Sequence, residues 1–163
     1  MAMTTTWNDV QAFVRKHYVL QQDQAQHFAM DFELPDPKAE AGSTRPAMDE
    51  ASLASSVVRL HGQLLQTGED APKWLVLRAE VCGERAMSPL AALRHSARLL
   101  IGALVLSGNQ YILRYTLPLS DLSLPTLQHA IEYIAREAGS LRHKVLQQTA
   151  SPPRSALGQS LND

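Results

Sequence analysis

The sequence predicts an α+β protein with the element order α-β-β-β-α-β-β-α. Two periodicities and one turn carry this expectation. Apolar residues recur at three- and four-residue spacing near both ends of the chain, alternate with a period of two between them, and flank a Gly-Asn pair. At 163 residues, 45% hydrophobic and 19% charged, the chain has room for one domain around one core, expected over residues 1–150.

Thr6 and Asp9 have the spacing of a helix-starting cap, and Trp7, Val10, Phe13, Val14 and Tyr18 share one face, which predicts a helix over 6–18. Gln26–Leu34 then alternates, with Phe28, Met30 and Phe32 against His27, Ala29, Asp31 and Glu33, as a half-buried strand does. Pro35–Ser56 holds three prolines and no sustained period, and reads as a long mobile loop. Val57–Gln66 is the second strand, with Val58, Leu60 and Leu64 on one face. Trp74–Val81 is the third, with Trp74 and Val76 opposite Leu75, Leu77, Ala79 and Val81, the two-sided pattern of a central strand. Matched alternation predicts that these three strands are adjacent and antiparallel.

Ser88 followed by Pro89 suits a helix N-cap and first turn, opening a second helix whose buried stripe is Leu90, Leu93, Ala97, Leu100 and Ile101. Gly108-Asn109 joins two strands over 103–107 and 110–117 as a hairpin. Pro125, Leu127, Ile131, Ile134, Ala138, Leu141 and Val145 mark a long last helix ending near Gln148. Residues 151–163 hold too few apolar side chains to dock, and a disordered tail is expected.

The composition excludes several classes of function. With 15 Lys+Arg against 16 Asp+Glu, no excess field draws the chain to nucleic acid or to an anionic membrane. The run Leu99–Leu106 is far shorter than the roughly 20 apolar residues of a membrane span, and Met1–Asp9 lacks the pattern of a secretory signal, so a cytoplasmic location is expected. The glycines are scattered, unlike those of a phosphate loop. The six histidines, His17, His27, His61, His95, His129 and His143, form no pair at helical spacing, and no metal site or cofactor is expected.

Candidate chemistry has a plain alternative in each case. Cys82 could be a nucleophile with His61 or His95 as its base, or a small hydrophobe at a strand end. Asp31 with Glu33, or Glu80 with Glu84, could do acid and base work, or lie solvated on a strand face and in a turn. Arg94, Arg98, Arg136, Arg142 and Lys144 could contact an anion, or complement helix dipoles. The structural alternative is preferred throughout, and no catalytic residue is assigned.

Apolar surface remains in excess of one small core. Phe28, Met30, Phe32, Val58, Leu60, Trp74 and Val76 are therefore candidates for holding an apolar segment of an unidentified partner protein. Leu93, Ala97, Leu100, Ile101 and Leu104 are candidates for a homodimer interface.

The element order, the stretch Ser88-Pro89-Leu90-Ala91-Ala92-Leu93-Arg94-His95-Ser96-Ala97-Arg98-Leu99-Leu100 and the strand end Leu113-Arg114-Tyr115-Thr116-Leu117-Pro118-Leu119 resemble the type III secretion chaperone-like fold, which the YbjN-like bacterial regulators share. The resemblance covers roughly residues 6–148. It implies a twisted antiparallel sheet with the first and last helices against one face, a homodimer using the middle helix, and no enzymatic activity. It also implies either a chaperone or adaptor that grips an extended partner segment, or a YbjN-like regulator without chaperone activity. A small enzyme using Cys82 is the remaining competitor.

Overall fold

The computed structural model describes residues 5–34 and 57–150. The expected loop 35–56 and tail 151–163 lie outside the described residues. Helix α1 spans Trp7–His17 and is followed by strands β1 (Leu20–Gln24), β2 (His27–Glu33), β3 (Val57–Leu65) and β4 (Trp74–Gly83). Helix α2 (Pro89–Ser96), the hairpin β5 (Ala103–Ser107) and β6 (Gln110–Pro118), and helix α3 (Leu124–Ala150) follow among the described residues. The expected order holds, with β1 as an additional strand ahead of it.

All six strands form one antiparallel sheet in the order β1-β2-β3-β4-β6-β5. The three strands expected to be neighbours are neighbours, with Met30 opposite Leu60 and Leu60 opposite Ala79. Gly108 adopts φ +59° between the paired Ser107 and Gln110. Glycine at the first central position of a two-residue loop is the pattern of a type II′ turn, whose twist matches that of the strands.

Helix α1 starts with a complete capping box. The Thr6 hydroxyl accepts from the Asp9 backbone N–H, and the Asp9 carboxylate accepts from the Thr6 N–H at 2.8 Å. Those hydrogen bonds hold the Asp9 carboxyl below its usual range. Two further side chains tie α1 to the β1–β2 turn: Trp7 Nε1 donates to the Ala25 carbonyl and Gln11 Nε2 to that of Gln24, both at 2.7 Å. These bonds and the β2 ladder account for β1, whose residues are mostly exposed and carry no apolar alternation.

The core lies on one face of the sheet. Leu127, Ile131, Ile134, Ala135, Ala138, Leu141 and Val145 of α3 are buried against β3, β4 and β6, with Val58, Leu60, Leu75, Leu77, Ala79, Leu113 and Leu117 beneath them. Each fully buried Leu or Ile contributes about 1.5–3 kcal/mol. Arg142, expected as a solvated basic residue, instead reaches back to the sheet. It donates to the carbonyls of Val57 at 2.6 Å, Glu80 at 2.9 Å and Val81 at 3.4 Å.

Helix α2 differs from expectation. It ends at Ser96, and of its residues only Ala92 is buried. Leu90, Leu93 and Leu100, expected in a buried stripe, are exposed. The connection that follows is pinned where Tyr133 Oη accepts from the Leu100 N–H at 2.9 Å and Ser96 Oγ from the Leu104 N–H at 3.1 Å. Gly102, at φ +78°, brings the chain into β5. A Cβ there would meet the Arg114 carbonyl oxygen at 2.8 Å.

Opposite Phe28 on β3 stands Gly62, and the Phe28 ring fills the space a side chain would take. A Cβ on Gly62 would come within 2.0 Å of Phe28 Cζ. The ring is fully buried and stacked on Trp7 at 5.8 Å, so it has nowhere to swing. Gly62→Ala is expected to lower the unfolding free energy by about 1–3 kcal/mol, read as a lower urea midpoint at unchanged slope. In a Phe28→Leu background the same substitution should cost much less, and an undiminished cost there contradicts the packing account.

Candidate functional site

The face of the sheet away from α1 and α3 carries the polar half of each strand alternation. Its residues are His27 and Asp31 on β2, Arg59, His61 and Gln63 on β3, Trp74, Val76, Arg78 and Glu80 on β4, and Ile112 and Arg114 on β6, with Val105 and Ser107 on β5. A shallow groove runs along it as two adjoining hollows of about 250 Å³ each, which share Arg78, Ser107 and Ile112. One hollow adds His61, Glu80 and Gln110. The other adds Gln63, Leu65, Val76, Val105, Leu106 and Arg114.

Polar contacts order much of this face. Arg59 holds Asp31 through two hydrogen bonds of 2.7 and 2.9 Å, and the guanidinium keeps that carboxyl below its usual range. Arg78 Nη2 donates to Gln63 Oε1 at 2.7 Å. His27 Nε2 lies 3.1 Å from His61 Nδ1, and the rings stack at 5.3 Å. The N···N contact requires one of the two rings to donate and the other to accept. Burial pushes both imidazoles below their usual pKa, aided by Arg78 at His27 and by His27 at His61. Sequence spacing could not reveal this pair, because only the β2–β3 register brings residues 27 and 61 together.

The expected partner-binding residues divide sharply. Phe28, Met30, Val58 and Leu60 are fully buried beneath the helices and present no surface to a partner, which corrects the expectation for these four. They lie on the inner half of the alternation, where α1 and α3 cover them. Phe32 is half-buried and packs on Tyr18 at 5.7 Å. Trp74 and Val76 are on the open face, Trp74 half-buried and Val76 4% exposed.

Among the expected interface residues, Leu93 is 69% and Leu100 86% exposed. Ala97 is exposed and Ile101 half-buried. Leu104 belongs to the core opposite Leu113, a correction that follows from its inward register on β5. Leu90 and Leu106, at 58% and 49% exposure, join the uncovered set. The boundary of α2 decides which leucines stay uncovered, and sequence periodicity placed that boundary too far along the chain.

Neither Cys82 nor Asp31 is set up for the chemistry weighed for it. Cys82 is half-buried at the end of β4, where burial pushes its thiol upward against the opposing effect of Arg142, the reverse of an activated nucleophile. Asp31 is committed to Arg59. Among the described residues no three His, Cys, Asp or Glu side chains converge to hold a metal ion, and no helix is long and apolar enough to cross a membrane.

A six-stranded antiparallel sheet with a long last helix and a short first helix on one face defines the α+β, type III secretion chaperone-like fold. Among solved structures, a chain of the HopA1–SchA chaperone–effector complex is similar over 82% of this chain and 89% of that one, with a TM-score of 0.51 and 15% identity. No protein-family model matches the chain, and no curated protein matches it.

The histidine pair generates a pH dependence. Because the folded-state pKa values of His27 and His61 lie below the unfolded value, the unfolded chain takes up more protons on acidification, and stability falls as pH drops through about 6.5 and below. His95 adds to the trend in the same direction, through burial and then Lys144 and Arg98. The urea midpoint should be lower at about pH 5.5 than at about pH 7.5. In the His27→Gln/His61→Gln double variant most of that difference should disappear, and a pH dependence equal to wild type would refute the assignment.

Proposed function

We propose that this chain is a homodimeric protein-binding module, chaperone- or adaptor-like, that holds a segment of a partner protein and catalyses no reaction. The observation that carries the reading is the uncovered leucine set on α2, the connection after it and β5. Leu90, Leu93, Leu100 and Leu106 stand exposed on adjacent elements of a chain whose other large apolar side chains are mostly packed. Scattered exposed leucines need no explanation, but a local group of them marks an association surface. A second copy of this chain is the occupant assigned to it, since a two-fold axis lets one apolar patch cover its own equivalent.

The fold supports the same reading. Its likeness is to a chain of a chaperone–effector complex, and the open face of the sheet leaves room for an extended segment once the leucine surface is occupied by a second copy. A protonated Cys82 thiol and a carboxylate bound to arginine speak against the enzyme alternative.

Light scattering on the purified chain should give twice the chain mass at tens of micromolar. Leu93→Asp/Leu100→Asp should give the single-chain mass. Both leucines are exposed in the isolated chain, so that variant should keep its unfolding free energy at low concentration to within about 0.5 kcal/mol. A wild-type chain of single mass overturns the dimer.

A further inference from the structure

We propose that Arg78 and Arg114 on the open sheet face form a receptor for carboxylate side chains of an acidic, partly apolar segment of the partner protein. This names the partner chemistry for the binding function proposed above and rests on that reading. The starting observation is a pair of like charges. The register sets Arg78 opposite Arg114 on β4 and β6. Directly opposed side chains of a ladder are near neighbours, and like charges there are destabilising.

Other arginines around the sheet are already engaged. Arg15 pairs with Asp23, Arg59 with Asp31, and Arg142 with three carbonyls. Among the described residues Arg78 has only the neutral Gln63 amide as a side-chain partner, and Arg114 is exposed. Neither takes part in an ion pair among the described residues. Among the described residues the one carboxylate lining the groove, Glu80, belongs to the hollow that contains His61, and none lines the hollow containing both arginines.

That hollow combines two guanidiniums with Leu65, Val76, Val105 and Ile112. A guanidinium presents a planar fork that matches a carboxylate bidentately. An extended chain with acids at every second position places its carboxylates on one side at a spacing of about 6.8 Å, facing the guanidiniums, and the apolar walls line the groove around them. An anion bound there would turn the unfavourable pair into the favourable term of the complex.

The test is titration calorimetry of the full-length chain with acetyl-(Asp-Leu)4-amide and with the same peptide carrying Asn for Asp. The acidic peptide should bind at least tenfold more tightly than its neutral counterpart. Arg78→Gln/Arg114→Gln should lose about tenfold or more in affinity for it, with the dimer mass unchanged and the urea midpoint unchanged or raised. A lowered midpoint with unaltered peptide affinity shows a structural role and overturns the proposal. So does displacement of the peptide by equimolar inorganic phosphate or oligouridylate, which would assign the arginines to a free anion or to nucleic acid. A chain that is dimeric but does not distinguish the two peptides overturns this assignment alone and leaves the dimeric binding module standing.

Discussion

The contact between α3 and the sheet is the constraint on which everything else depends. One stripe of that helix, from Leu127 to Val145, is buried across β3, β4 and β6. Hydrophobic burial is proportional to the apolar area removed from water, and this is the longest continuous contribution to it in the chain. With α1 beside it over β2, it dries one face of the sheet and leaves the other to polar residues. The period of two in a strand then assigns each side chain to core or groove. A slip of one residue in β3 would drive Arg59 and His61 under the helices, so the burial itself specifies the register.

Polar bonds refine what burial sets up. Arg142 closes the geometry by reaching from α3 to main-chain oxygens of β3 and β4. A charged donor on a carbonyl is stronger than a neutral one, and three such bonds fix helix and strand ends together. Trp7 and Gln11 do the same for α1 and the turn before β2. At the other side of the molecule, Tyr133 and Ser96 hold the connection after α2 close to the body of the fold. That bracing keeps Leu100 presented outward instead of letting it fold back onto the core.

Much of the fold was legible because local chemistry and global packing agree. The Thr6–Asp9 box, the Ser88-Pro89 cap, the Gly108-Asn109 turn and the alternation of β2, β3 and β4 each announce an element in a few residues. β1 was not legible, because its formation depends on a neighbour's main chain and on two side chains from α1. The end of α2 was missed because Leu100 and Ile101 continue a helical spacing that the backbone abandons at Ser96. The binding site was less legible than the fold. Phe28, Met30, Val58 and Leu60 look like spare apolar surface until the covering helices are in place, and Arg78 and Arg114 look unrelated until the sheet sets them side by side.

The β2–β3 ladder runs to its last rung at Glu33 and Val57, and Arg142 grips the carbonyl of Val57. The chain therefore leaves and re-enters the sheet at two points one strand spacing apart, both secured by the body of the domain. For a flexible connection, the cost of holding its ends together grows only as the logarithm of its length, about 0.6 kcal/mol per doubling. The ends of the β2–β3 connection are thus set by the ladder and by Arg142, whatever joins them. Any chain that joins Glu33 to Val57 meets a closure distance already fixed by the neighbouring strands and does not itself have to hold them together.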